Sequence, residues 1–109
     1  MTLEKVQESI KNEFGVMLYF SNDNCNVCKV IKPKLDEEFA SNFPKIKIIS
    51  IDNTINPEIA SHFQVFSIPT TIVFLDGNEF ERVGRNISIA GLIHKISRPY
   101  DMLNDILDS

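Results

Sequence analysis

The sequence predicts an α/β fold, in which a mixed central sheet is flanked by helices on both faces. Apolar patterns typical of helices alternate with short apolar strands through most of the chain, which indicates parallel crossover connections. The pair Asp76-Gly77 indicates an antiparallel hairpin near the end of the sheet. A chain of 109 residues is long enough for one core and too short for two, so we expect a single domain over residues 1–109.

The first helix and strand are predicted from an apolar stripe that a glycine terminates. Thr2 is placed to cap a helix over residues 3–13, and Gly15 ends that helix. Residues 16–20 then form an apolar run that we expect to be a buried strand. The residues of the helical stripe are Leu3, Val6, Ile10 and Phe14.

A second helix and a second strand follow the polar turn at residues 22–24. The helix is expected from about Cys25 to Ala40, with Pro33 inside it, where the missing N–H removes one hydrogen bond and should kink the helix. Residues 46–51 are rich in isoleucine, which is typical of a strand buried on both faces.

Residues 56–58 have the pattern of a helix N-terminus with a proline at its first position, which predicts a short helix over about 57–63. Residues 70–75 and 79–83 are the expected strands of the hairpin. Ser88 is placed to cap a helix from residue 89 to about 97. The predicted order is therefore α-β-α-β-α-β-β-α.

Residues 98–109 form a short C-terminal extension. Arg98-Pro99 is expected to interrupt the preceding helix, because proline cannot donate a helical hydrogen bond. The favoured interpretation is a short docked helix or a frayed tail, and the alternative is a partner-binding or self-association element.

Composition and charge exclude several classes of function. The net charge is −4 and the basic residues are scattered, so we expect no nucleic-acid binding. No stretch approaches the roughly 20 apolar residues that span a bilayer, so we expect no membrane insertion. The N-terminus lacks the pattern of a signal peptide, which makes the cytoplasm the expected location.

The only two cysteines form the motif Cys25-Asn26-Val27-Cys28, directly after a predicted strand and at the start of a predicted helix. A helix N-terminus stabilises a thiolate, and the spacing brings both sulfurs within disulfide distance. These are the requirements of thiol–disulfide exchange, so the motif predicts redox chemistry.

Two buried or incidental thiols are the main alternative for such a pair, and metal binding is a further one. The two histidines, His62 and His94, fit no common zinc pattern, so we expect no metal and no cofactor. An iron–sulfur cluster shared between two chains is a further alternative.

The chain resembles the thioredoxin family from about residue 3 to residue 97. The cysteine motif falls where the active-site motif of that family falls, and Pro33 matches the proline of the active-site helix. Ile68-Pro69-Thr70 matches the cis-proline segment that faces the dithiol, while Asp76-Gly77 and Val83-Gly84 match the late hairpin and its following glycine.

The resemblance implies a thioredoxin fold and a protein-disulfide reductase, which we expect to be a monomer re-reduced by thioredoxin reductase. Cys25 is then the attacking thiolate, Cys28 the resolving thiol, and Pro69 the cis-proline. Disulfide-containing protein substrates would contact a surface made of Asn24, Ile51, Ser67, Ile68, Val83 and Gly84.

The sequence also departs from the family pattern. Asn24 replaces a tryptophan, and Tyr19 replaces the buried aspartate thought to deprotonate the second cysteine. We expect Tyr19 to fill core volume, with a hydrogen bond near Cys28 as the alternative. These departures keep two other functions open: a partner-specific oxidoreductase with another electron donor, and a redox-switched binding module.

Overall fold

A computed structural model describes residues 1–108 and contains the predicted elements in the predicted order. The helices are α1 (Leu3–Asn12), α2 (Asn26–Asn42), α3 (Pro57–His62) and α4 (Ile89–Asp108). The strands are β1 (Gly15–Ser21), β2 (Ile46–Asp52), β3 (Thr70–Leu75) and β4 (Asn78–Val83). No helix within this part of the chain has the length and apolar character that crossing a bilayer requires.

The four strands of residues 1–108 form one mixed sheet in the order β2-β1-β3-β4. β1 lies parallel to β2 and antiparallel to β3, and β3 pairs antiparallel with β4. The carboxyl end of β1, the start of β3 and the end of β4 therefore lie side by side at one end of the strands. The dithiol lies at this end of the sheet.

The core consists of two apolar clusters, one on each face of the sheet. β1 alternates between them, because successive side chains of a strand point to opposite faces. Met17 and Tyr19 pack with α2 and α4, whereas Val16, Leu18 and Phe20 pack with α1 and α3. The prediction of a mixed sheet flanked by helices on both faces is confirmed.

Several predicted caps and turns are also present. The Thr2 hydroxyl accepts a hydrogen bond from the Lys5 amide, and the Ser88 hydroxyl accepts one from the Gly91 amide. Asp76 and Gly77 both have positive φ angles, which the tight turn between β3 and β4 requires.

Gly15 lies inside β1 rather than at the end of the helix, which stops at Asn12. A Cβ atom at this position would lie 3.0 Å from side-chain atoms of Ile46 and Leu75 and 3.1 Å from the Phe74 carbonyl oxygen. The glycine is therefore required by the close approach of the neighbouring strands.

The prediction that β2 is buried on both faces is wrong. β2 is an edge strand, with Lys47 exposed and Ile48 and Ile49 only half-buried. The isoleucine content reflects the preference of β-branched residues for strands, which does not depend on the position of the strand in the sheet.

The predicted break at Arg98-Pro99 is also wrong, since α4 continues through Pro99 to Asp108 as one 20-residue helix. Tyr100 is 6% exposed and packs against Phe14 and Phe43, with ring centroids 5.1 and 4.9 Å apart. This burial outweighs the loss of one hydrogen bond, so Tyr100 belongs to the core, although most of the helix beyond it is exposed.

Candidate active site

The two cysteines form a disulfide at the start of α2, with their Cα atoms 5.3 Å apart. Cys25 is the N-cap residue of the helix, and its Sγ accepts a hydrogen bond from the Cys28 amide at 3.2 Å. Cys25 is 8% exposed and Cys28 is 2% exposed. The first sulfur thus lies nearer to solvent, among the unpaired N–H groups of a 17-residue helix.

The segment Ile68-Pro69 lies beside the dithiol, at the start of β3. Its peptide bond is cis, as predicted. Ile68 lines the same shallow cavity as Cys25, a space of about 280 Å³. The Thr70 hydroxyl donates to the Ser67 carbonyl at 2.7 Å and ties the two ends of the segment together.

Comparison with known proteins decides the family. The sequence model of the thioredoxin family, described as "Thioredoxin", matches residues 1–98. The chain belongs to the thioredoxin family. With the Cys25–Cys28 disulfide in place, this thioredoxin-family protein is a thiol–disulfide oxidoreductase that acts by dithiol–disulfide exchange.

Individual relatives cover most of this thioredoxin-family chain. It is 32% identical to "Thioredoxin-like protein YdfQ" of Bacillus subtilis, over 91% of this chain and 88% of the relative. It is 42% identical to a thioredoxin of Staphylococcus aureus, over 67% of this chain and 71% of the relative. The structure of thioredoxin 1 from Thermosipho africanus superimposes with a TM-score of 0.73 at 35% identity, covering 82% of this chain and 98% of the other.

The residues expected to contact substrate fall into two adjacent cavities and one buried position. Asn24 and Ile68 line the cavity of Cys25, whereas Ser67, Val83 and Gly84 line a neighbouring one. A Cβ atom at Gly84 would meet nothing within 4 Å, so the surface there is open. Ile51 is 1% exposed and packs in the core cluster on the α1 and α3 side of the sheet.

The histidines lie outside the site. His62 contacts the Gln7 side chain at 3.1 Å, through its Nε2 atom. Within residues 1–108, no group of three or more His, Cys, Asp or Glu side chains is placed to hold a metal ion.

Tyr19 fills the core and also contacts the active-site helix. The side chain is 1% exposed, and its hydroxyl donates a hydrogen bond to the Cys28 carbonyl oxygen at 2.9 Å. Core filling was the favoured prediction, and the structure combines it with the alternative hydrogen bond. Burial, together with the Asp36 carboxylate, raises the pKa of Tyr19 to about 12. The phenol therefore stays protonated near neutral pH and acts as a donor to Cys28, not as a proton acceptor.

We expect Tyr19→Phe to lower the free energy of unfolding by about 1 kcal/mol at neutral pH, because the Cys28 carbonyl loses a donor. The pKa of Tyr19 is higher in the folded protein than its ordinary value of 10.0, so its contribution is fully present below pH 10 and is lost as the pH rises through 12. The difference in the free energy of unfolding between wild type and variant should accordingly become smaller between pH 10 and 12. Urea unfolding of both oxidised proteins at pH 7, 10 and 11 measures the gap, and a gap that widens with pH would contradict this account.

Arg85 is a residue of this surface that the sequence analysis did not single out. It follows Val83-Gly84 directly and lines the cavity of Cys25. Its guanidinium donates a hydrogen bond to the Ile68 carbonyl oxygen. The only available signal in the sequence was its place immediately after the expected substrate-contacting pair.

Proposed function

We propose that the protein reduces disulfides of other proteins, with Cys25 as the attacking thiolate and Cys28 as the resolving thiol. The observation that carries these roles is the position of Cys25 as N-cap of α2, where its Sγ already accepts the Cys28 amide hydrogen bond. In the reduced protein the same N–H would stabilise a thiolate and lower its pKa. Cys28 is more deeply buried than Cys25, so it acts second, after Cys25 is bound to the substrate.

The exchange proceeds in two displacements. The Cys25 thiolate attacks one sulfur of the substrate disulfide, the substrate S–S bond breaks, and a mixed disulfide forms while one substrate thiolate leaves. The Cys28 thiol then loses its proton to solvent, and the resulting thiolate attacks Cys25 Sγ, which closes the Cys25–Cys28 disulfide and releases the second substrate thiolate. Both substrate thiolates take up protons from solvent, and two electrons have passed from the protein to the substrate.

The substrate is expected to bind as an extended segment across the dithiol. Ile68 is half-buried beside Cys25 and offers backbone groups for strand-like pairing. Asn24, Ser67, Val83 and Gly84 would form the surrounding surface, with Pro69 behind it. Since the sequence contains no tryptophan, a frequent binding hot spot, we expect a narrower substrate range than that of a general thioredoxin.

Members of the family reduce disulfide substrates and are re-reduced by thioredoxin reductase, and we propose the same donor here. We also propose that the protein is cytoplasmic, because the cytoplasm keeps thiols reduced, as this dithiol requires. We further propose that it is a monomer.

The test is the oxidation of NADPH in a mixture of thioredoxin reductase, this protein and insulin. We expect continuous turnover that depends on the concentration of this protein. A reduced form prepared with dithiothreitol should reduce insulin once without the reductase. Single reduction without turnover would reject the proposed donor, and failure of both reactions would reject the proposed function.

A further inference from the structure

Arg85 provides a positive charge on the wall of the cavity that contains Cys25. The residue is exposed in the loop between β4 and α4, yet its Nη2 donates to the Ile68 carbonyl oxygen at 3.3 Å. The guanidinium therefore lies at a backbone oxygen beside the dithiol, next to the place where an extended substrate segment would pair with Ile68, and it takes one of the two acceptor positions of that oxygen.

The same guanidinium has no carboxylate partner among residues 1–108. Ion pairs in this part of the chain involve Lys32, Lys45, Arg82 and Lys95. Arg82, three positions earlier, lies 2.9 Å from Glu79 and lowers the pKa of that carboxyl by hydrogen bonding. Arg85 differs from Arg82 because its guanidinium donates to a backbone carbonyl oxygen beside the dithiol and not to a carboxylate.

The hydrogen bond to Ile68 uses one of the five N–H donors of the guanidinium, so a substrate segment that pairs with Ile68 lies next to a positive charge with further donors. A carboxylate on the substrate is the best acceptor for these donors, because guanidinium and carboxylate form a charge-assisted, often bidentate pair. A neutral segment forms no ion pair there, and a basic segment is repelled.

We propose that Arg85 is a specificity-determining residue that selects disulfides flanked by an acidic residue. The inference rests on the proposed function, because it requires strand-like binding at Ile68. Asp23 and Lys29, the charged residues that flank the dithiol in the sequence, are both exposed and opposite in sign. Neither of them lines the cavity of Cys25, whereas Arg85 does.

The test compares three disulfide-containing peptides that differ at one position beside the first cysteine: glutamate, glutamine or lysine. Reduced protein is mixed with each peptide, and single-turnover rates are followed by quenched flow with chromatographic separation of the products. At low salt we expect the glutamate peptide to react about threefold faster than the glutamine peptide, because a rate ratio of this size corresponds to the free energy of a typical exposed ion pair. The lysine peptide should be slower than both, and added salt should compress the differences.

Arg85→Ala should remove the preference, by slowing the glutamate peptide and by relieving the repulsion of the lysine peptide. Arg98→Ala is the matched control, since it deletes an exposed arginine from the middle of α4, and it should keep the wild-type order. If Arg85 acted only on Cys25 reactivity, all three rates would change by one factor, and the proposal would fail. An unchanged preference in Arg85→Ala overturns the proposal alone, whereas no reduction of any peptide by wild type overturns the proposed function with it.

Discussion

Replacing Cys25 with Ser is expected to reduce insulin-disulfide turnover to the rate seen without the protein. A serine hydroxyl is not ionised near neutral pH at a helix N-terminus, so no nucleophile is left to open the substrate disulfide. Cys28 cannot substitute for it, because its side chain is 2% exposed and lies beneath the first cysteine. The assay is NADPH oxidation with thioredoxin reductase and insulin.

Cys28→Ser is the matched variant, because it removes the same disulfide and leaves Cys25 in place. We expect it to form a mixed disulfide with substrate that persists, since the resolving attack is missing. Mass spectrometry of the non-reduced mixture would detect this adduct at Cys25. Unfolding of both variants, compared with reduced wild type, controls for the lost disulfide. Activity retained in Cys25→Ser, or a mixed disulfide formed at Cys28 in that variant, would reverse the assigned roles.

Tyr100→Ala is expected to lower the free energy of unfolding by about 3 to 5 kcal/mol, the usual cost of removing a buried aromatic side chain. Tyr100 is 6% exposed, packs between Phe14 and Phe43, and accepts a hydrogen bond from the Lys45 amide at 3.1 Å. A loss of this size is a large fraction of the roughly 5 to 15 kcal/mol that stabilises a typical domain.

Met102→Ala provides the control for this prediction. Met102 lies two positions later on the same helix and is 53% exposed, so its truncation should change stability by less than about 0.5 kcal/mol. Urea unfolding of the oxidised proteins measures both effects. Equal effects of the two variants, or none, would mean that Tyr100 is not part of the folded core.

The order of elements and the dithiol were predictable because their signals are local. Thr2 and Ser88 accept hydrogen bonds from amides three residues later, and Asp76-Gly77 adopts the positive φ angles of a tight turn, so their roles could be inferred from the sequence alone. The Cys25–Cys28 pair is equally local, because its spacing alone brings the two sulfurs within reach of each other.

The errors concern residues whose state depends on distant partners. Ile48 and Ile49 are half-buried because β2 is an edge strand of the sheet that residues 1–108 form, and the sequence of β2 contains no record of its neighbours. Pro99 was expected to end a helix, but Tyr100 meets Phe14 and Phe43 from other parts of the chain. Burial of the aromatic ring overrides the local preference of the proline.

The sequence by itself determined the α/β order and the reactive cysteines, since each depends on residues close together in the chain, and it determined the family, since several such local motifs follow one another in the family's order. Only the tertiary structure decided that Tyr19 donates to the Cys28 carbonyl, that Ile51 lies below the surface, and that Arg85 reaches Ile68. Those contacts join strands and loops that fold from separate segments. Their geometry is set by how the sheet packs against its helices, which no local pattern records.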